Sequence, residues 1–157
     1  MIPEGRYDSA MAAFLRALLL ALVPLFALIP DVASAQDGVP PADANAVRAV
    51  IEAQLDAFRH DDAARAFTLA TPGIRETFGS AENFLAMVRD AYAVIYRPKS
   101  VIFEPPHLID GRLFQPVRLT DAEGRGWIAI YSMQRQRDGS WRTNGCHLAQ
   151  PVRMIPA

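Results

Sequence analysis

Residues 112–148 read RLFQPVRLT, DAEGR, GWIAIYSMQRQR, DG, SWRTNGCHL, and this stretch decides the fold. Three β-branched and aromatic runs are separated by turn residues, Asp121-Ala-Glu-Gly124 and Asp138-Gly139. Each run alternates along its length. Leu113, Val117 and Leu119 alternate with Phe114, Pro116 and Arg118, while Trp127, Ala129, Tyr131 and Met133 alternate with Ile128, Ile130, Ser132 and Gln134. Alternation at period two between short Asp/Gly turns predicts an antiparallel meander of strands at Arg112–Thr120, Gly126–Arg137 and Ser140–Leu148. Upstream, Asp110-Gly111 marks a further turn, and Ser100–Glu104, closed by Pro105-Pro106, reads as a fourth strand.

The period changes before Pro98. Val47, Val50, Ile51, Leu55 and Phe58 form an apolar stripe at helical spacing, which predicts a helix over residues 43–59 capped by Asp43. His60-Asp61-Asp62 ends it, and Asp61 or Asp62 can cap a short second helix through Ala63, Ala66, Phe67 and Ala70. Thr71-Pro72 opens another short helical turn carrying Ile74 and Phe78. Ser80 caps a third long helix with Phe84, Leu85, Val88, Ala91 and Tyr92 on one face. Helices followed by a hairpin sheet give an α+β order. The expected architecture is N-terminal helices on a curved, mainly antiparallel sheet of four strands or slightly more, cone-like around an internal pocket.

The N-terminus carries a different message. Ala17 to Ile29 holds no charge, follows Arg16 and precedes Pro30-Asp31. As a helix this run would rise about 20 Å, short of a hydrocarbon core of roughly 30 Å. Ala33-Ser34-Ala35 is a small-x-small site, so residues 1–35 are expected to be a cleaved signal peptide with Gln36 as the new terminus. Glu4 and Asp8 are foreign to a basic n-region, and a start at Met11 would remove both. The competing reading is a short hydrophobic core helix. Residues 36–42 form a Pro/Gly linker, 43–150 one domain and 151–157 a tail.

Charge narrows the partners. Removing Arg6 and Arg16 from the 16 basic side chains, and Glu4, Asp8 and Asp31 from the 17 acidic ones, leaves fourteen of each. A neutral domain without clustered Lys/Arg lacks the electrostatic footprint of nucleic-acid or anionic-membrane binding. No stable membrane span is expected once the signal is gone. The localisation implied is the periplasm or the exterior.

The chain resembles a known family at several points. These are Ile51-Glu-Ala-Gln-Leu-Asp-Ala-Phe58, Asp61-Asp-Ala-Ala-Arg-Ala-Phe67, Thr71-Pro-Gly-Ile74, Phe84-Leu-Ala-Met-Val88, Tyr96-Arg-Pro98, Gly139-Ser-Trp-Arg142 and Asn144-Gly-Cys146. They resemble domain of unknown function 4864, over residues 47–148. By element order the chain also resembles the nuclear-transport-factor-2-like superfold, whose members include isomerases, dehydratases and binding modules. The first resemblance implies no catalytic residues, and fold alone does not supply them.

The residues themselves offer little catalytic chemistry. His60, His107 and His147 lack a second ligand at convergent spacing, so no metal and no cofactor are expected. Cys146, the single cysteine, cannot form an internal disulfide and reads first as a buried free thiol. Paired with an imidazole brought in by the fold it would be a nucleophile. Asp61, Asp62, Asp110, Asp121 and Asp138 are accounted for by helix starts and turns, which leaves no carboxylate in a strand interior. What remains for a pocket is aromatic and neutral: Tyr92, Tyr96 and Tyr131, with Arg118, Asn144 and His147 as polar groups. Trp127 and Trp141 belong to the same aromatic set.

The leading expectation is a non-enzymatic module that binds a small apolar or amphipathic ligand or a partner. One alternative is an enzyme with a small pocket (isomerase, dehydratase or hydrolase-like) using Tyr, Asn144, His147 or Cys146. The other is a structural module that self-associates through an exposed sheet face.

Overall fold

A computed structural model describes residues 38–150. The expected signal, the start of the linker and the tail lie outside them. Among the described residues five helices precede five strands: α1 (Pro41–Arg59), α2 (Ala63–Thr68), α3 (Pro72–Phe78), α4 (Ala81–Ala91), α5 (Ala93–Tyr96), then β1 (Ser100–Phe103), β2 (His107–Ile109), β3 (Arg112–Thr120), β4 (Gly126–Arg135) and β5 (Trp141–Ala149). The α+β class and the antiparallel sheet hold. Among the described residues no helix is long and apolar enough to cross a membrane.

Helix α1 begins two residues earlier than the Asp43 cap implied. Pro41 occupies the first turn, where its missing N–H costs nothing, and no side chain caps the start. Asp43 instead reaches the sheet, accepting from the Trp141 indole N–H at 3.3 Å and pairing with Arg135 at 3.3 Å. At the other end Asp61 is left-handed, with φ of 57°. The Asp62 N–H donates to the Ala57 carbonyl (2.9 Å) and the Asp61 N–H to the Phe58 carbonyl (3.2 Å), a Schellman closure. That geometry assigns the next cap to Asp62, which accepts from the Arg65 N–H, and turns the Asp61 carboxylate elsewhere.

The sheet runs β1-β3-β4-β5, and β2 also pairs with β3. Residues 117–120 of β3 pair with β1, and 112–114 pair with β2, so β1 and β2 are two pieces of one edge interrupted by Pro105-Pro106. The strand at 107–109 is an element the sequence pattern did not announce. At the interruption the buried Gln115 amide donates to the Glu104 carbonyl at 2.6 Å, supplying a bond the ladder lacks there. Leu113, Gln115, Val117 and Leu119 face the helices, as do Ala129, Tyr131 and Met133 across the β3–β4 ladder. From the helix side Val47, Ile51, Leu55 and Phe58 complete the same core.

Two locks join the layers. The α2–α3 link crosses the free side of β5: the Thr143 N–H donates to the Leu69 carbonyl at 3.0 Å and the Thr71 N–H to the Thr143 carbonyl at 2.9 Å. The β3–β4 turn is organised by Asp121. Burial pushes its pKa up, but the Trp127 indole (2.9 Å), the Arg125 backbone N–H (2.8 Å) and the Arg125 guanidinium (2.7 Å) outweigh that and hold it down at about 2. A depressed carboxyl pKa contributes stability above the unfolded value, near 3.8. That contribution is lost as pH falls from there through about 2. The thermal midpoint of the native protein should therefore drop more steeply across this window than that of Asp121→Asn. Parallel curves for the two proteins would show that the turn carries no such linkage.

Candidate functional site

A half-enclosed cavity of about 210 Å³ lies between the inner sheet face and the helices. The floor is β4 and β5, through Tyr131, Thr143, Gly145 and Cys146. Gln54 and Phe58 of α1 form one wall, and Phe78, Phe84, Met87 and Ile95 contribute most of the apolar remainder. Phe84 is the hub of the aromatic side, with ring centroids 5.9 Å from Phe58, 5.7 Å from Phe67 and 5.5 Å from Phe78. None of the described residues that line it is Asp, Glu, His, Lys or Arg.

The space exists because the elements break where they do. Helix α4 stops at Ala91, and Tyr92 takes a non-helical conformation before α5 resumes. The Tyr92 hydroxyl then crosses to donate to the Cys146 carbonyl at 3.3 Å. Between Tyr131 and Met133 the register shifts, and Asn144 and Gly145 of β5 bulge opposite Ser132. Gly145 there has φ of 137°, a conformation that side chains rarely adopt.

The polar groups of the wall differ in how they are satisfied. The Gln54 amide donates to the Ala66 carbonyl at 3.0 Å, and the Thr143 hydroxyl to the Leu69 carbonyl at 3.3 Å. The Tyr131 hydroxyl is buried and has no hydrogen-bond partner among the described residues. Tyr131 is cross-strand neighbour to Cys146, and both face the cavity. Burial pushes the Tyr131 pKa well above its usual value, with a smaller contribution from Cys146, and burial raises the Cys146 thiol to about 12. Both are neutral at physiological pH, and Cys146 there is a thiol rather than the thiolate a nucleophile requires.

Of the six residues expected around a pocket, the structure brings together Tyr92 and Tyr131, with Cys146 beside them. The other four lie elsewhere. Tyr96 donates its hydroxyl to Asp61, and the Arg89 (2.6 Å) and Arg97 (3.3 Å) guanidiniums pair with the same carboxylate. That exposed knot ties the α1–α2 corner to α4 and α5. Arg118 shares the outer sheet face with Phe114 and Pro116 and pairs with Glu104 at 2.5 Å, so its charge stays solvated. His147 is opposite Ile130 on the same outer face and is exposed. Asn144, displaced by the bulge, accepts from the Thr71 hydroxyl at 3.0 Å.

Gln54, Phe58, Phe78, Phe84, Met87, Ile95 and Thr143 were not anticipated in the wall. Gln54 carried a readable signal, a polar residue three after Ile51 and four before Phe58 within the apolar stripe, and the structure buries it to 3 % exposure. Among the described residues no group of three or more His, Cys, Asp or Glu side chains is arranged to hold a metal ion.

A family model described as Domain of unknown function (DUF4864) matches residues 41–155, which takes in both layers and the whole cavity. The chain belongs to this family. No curated protein and no solved structure matches this DUF4864 domain, and the expected likeness to the nuclear-transport-factor-2-like superfold is not confirmed.

Proposed function

We propose that this DUF4864 domain is exported and holds a small, neutral, largely apolar ligand in the cavity between its sheet and helices, without chemical conversion. The observation that carries the reading is a cavity of about 210 Å³ whose walls, among the described residues, contain no carboxylate, imidazole or cation. General acid–base catalysis needs a proton donor or acceptor poised near the working pH. The titratable groups of the wall, Tyr92, Tyr131 and Cys146, include two whose pKa values are pushed upward, away from that range. Apolar walls with a few polar groups are the ordinary make-up of a ligand site. Benzene occupies an engineered apolar cavity of roughly 150 Å³, so a single-ring molecule is the scale to expect.

Export rests on the uncharged run at 17–29 and the Ala33-Ser34-Ala35 site. Native mass spectrometry of the protein recovered from a periplasmic fraction tests both parts. The expected spectrum shows a chain beginning at Gln36 with a small non-covalent adduct. Recovery from the cytosol with residues 1–35 intact would defeat the export proposal, and a protein that neither carries an adduct nor takes up aromatic solvents would defeat the ligand proposal.

A second reading has its own observation. Ile102, Ile109 and Ile130 are exposed on the sheet face away from the helices. With the half-buried Ile128, Pro116 and Phe114 near Ile130, this apolar surface favours self-association, and a doubled mass in the same spectrum is its signature.

A further inference from the structure

We infer that the cavity takes a one-ended amphipath: a single ring with one neutral polar group, inserted ring first so that the polar end stays at the rim. Benzyl alcohols and alkylphenols are the chemical class. This rests on the cavity being a ligand site, and it adds which end of a ligand goes in. A residue without accessible surface cannot border an opening, so burial separates rim from floor. Of the described residues around the cavity, Ile74, Phe78, Met87, Tyr92, Gly145 and Cys146 are half-buried, and the others are all buried. The rim therefore runs from α3 (Ile74, Phe78) to α4 (Met87) and on to the break at Tyr92. From there the Tyr92 hydroxyl, donating to the Cys146 carbonyl, carries it onto β5 at the bulge.

The closed end has a different character. Phe58, Phe84, Val88 and Ile95 are its apolar members. Gln54 and Thr143 lie with them, but their side chains donate to the Ala66 and Leu69 carbonyls. Tyr131 adds its ring and not its hydroxyl, which is shut off from solvent. A hydroxyl pushed to this end gives up its water for an apolar surround, which is costly. At the rim the same group stays hydrated, because the cavity is open on that side. A space of about 210 Å³ is on the scale of one ring.

Para-xylene, 4-methylbenzyl alcohol and 1,4-benzenedimethanol share one shape and carry a hydroxyl at neither end, one end and both ends. Each is titrated into the purified protein and followed by NMR. The first hydroxyl is expected to weaken binding by less than about tenfold, since it sits in water at the rim. The second is expected to cost about tenfold or more, because one hydroxyl must then be buried at the floor. In bound 4-methylbenzyl alcohol the ring methyl should show nuclear Overhauser contacts to the Val88 and Ile95 methyls, and the methylene beside the hydroxyl to the Met87 methyl. The reverse contacts, or two hydroxyls of equal cost, overturn the orientation while the cavity stays a ligand site. Binding of none of the three compounds overturns both.

Discussion

Phe58→Ala is expected to cost about 3–5 kcal/mol of folding stability, read as a fall in the urea midpoint at unchanged slope. Phe58 is 2 % exposed, packs against Phe84 at 5.9 Å and joins the last turn of α1 to the cavity wall. Truncating a large core side chain loses its transfer free energy and leaves a void that the surroundings close only in part. Here the void opens into an existing cavity, so there is no opposing surface near enough to collapse onto it. A domain of this size has about 5–15 kcal/mol in total, so the loss would consume a large share. The enlarged cavity should in turn take up a ring-sized solvent molecule, and benzene should recover part of the midpoint. A loss below about 1 kcal/mol would mean that α1 is not docked through Phe58.

The second large effect has the opposite sign. Tyr131→Phe is expected to stabilise the ligand-free protein by about 1–3 kcal/mol, because it deletes a buried hydroxyl that has no partner while keeping the ring. Most substitutions in a core destabilise, so a rise in the urea midpoint is a sharp readout. A fall of about 1 kcal/mol, the cost of removing an ordinary satisfied hydroxyl, would show that the native fold already pairs it.

The layered order was legible in the sequence because two periods, 3.6 and 2, occupy separate halves of the chain. Turn chemistry placed the hairpins: Asp121 and Asp138 organise the corners that their Asp/Gly signals implied. The expected strands differ from β4 and β5 by one or two residues at their ends, and at the Asp138-Gly139 corner the difference is a hydrogen-bonded turn, in which the Gln136 N–H donates to the Ser140 carbonyl at 2.7 Å. The strand at 107–109 escaped because three residues between a double proline and an Asp-Gly turn are too few to alternate. Helix α5 escaped because Tyr92 continues the apolar stripe of α4 even as its backbone leaves the helix.

The cavity was harder to read, for a physical reason. Both faces of β3 and β4 carry apolar residues, so the pattern alone does not say whether Arg118 or Leu119 looks inward, and one step of register exchanges them. The helices decide, by burying Leu113, Val117 and Leu119 and leaving Arg118 to Glu104. The helical wall was hidden differently. Phe58, Phe84 and Ile95 occupy stripe positions that describe a filled core and a cavity rim equally well, and only the interruption at Tyr92 and the bulge at Gly145 separate the two cases.

The double proline between β1 and β2 has a consequence beyond topology. A sheet margin with a continuous row of free amides is a template onto which a foreign chain can zip, the first step toward fibrillar growth. Here the margin is cut into lengths of four and three residues with two positions that own no N–H, so an incoming strand could add only a few bonds before losing register. The opposite margin, along β5, is occupied at Thr143 by the backbone of residues 69–71. A protein with exposed isoleucines on one face thus has both of its borders blunted against unlimited polymerisation.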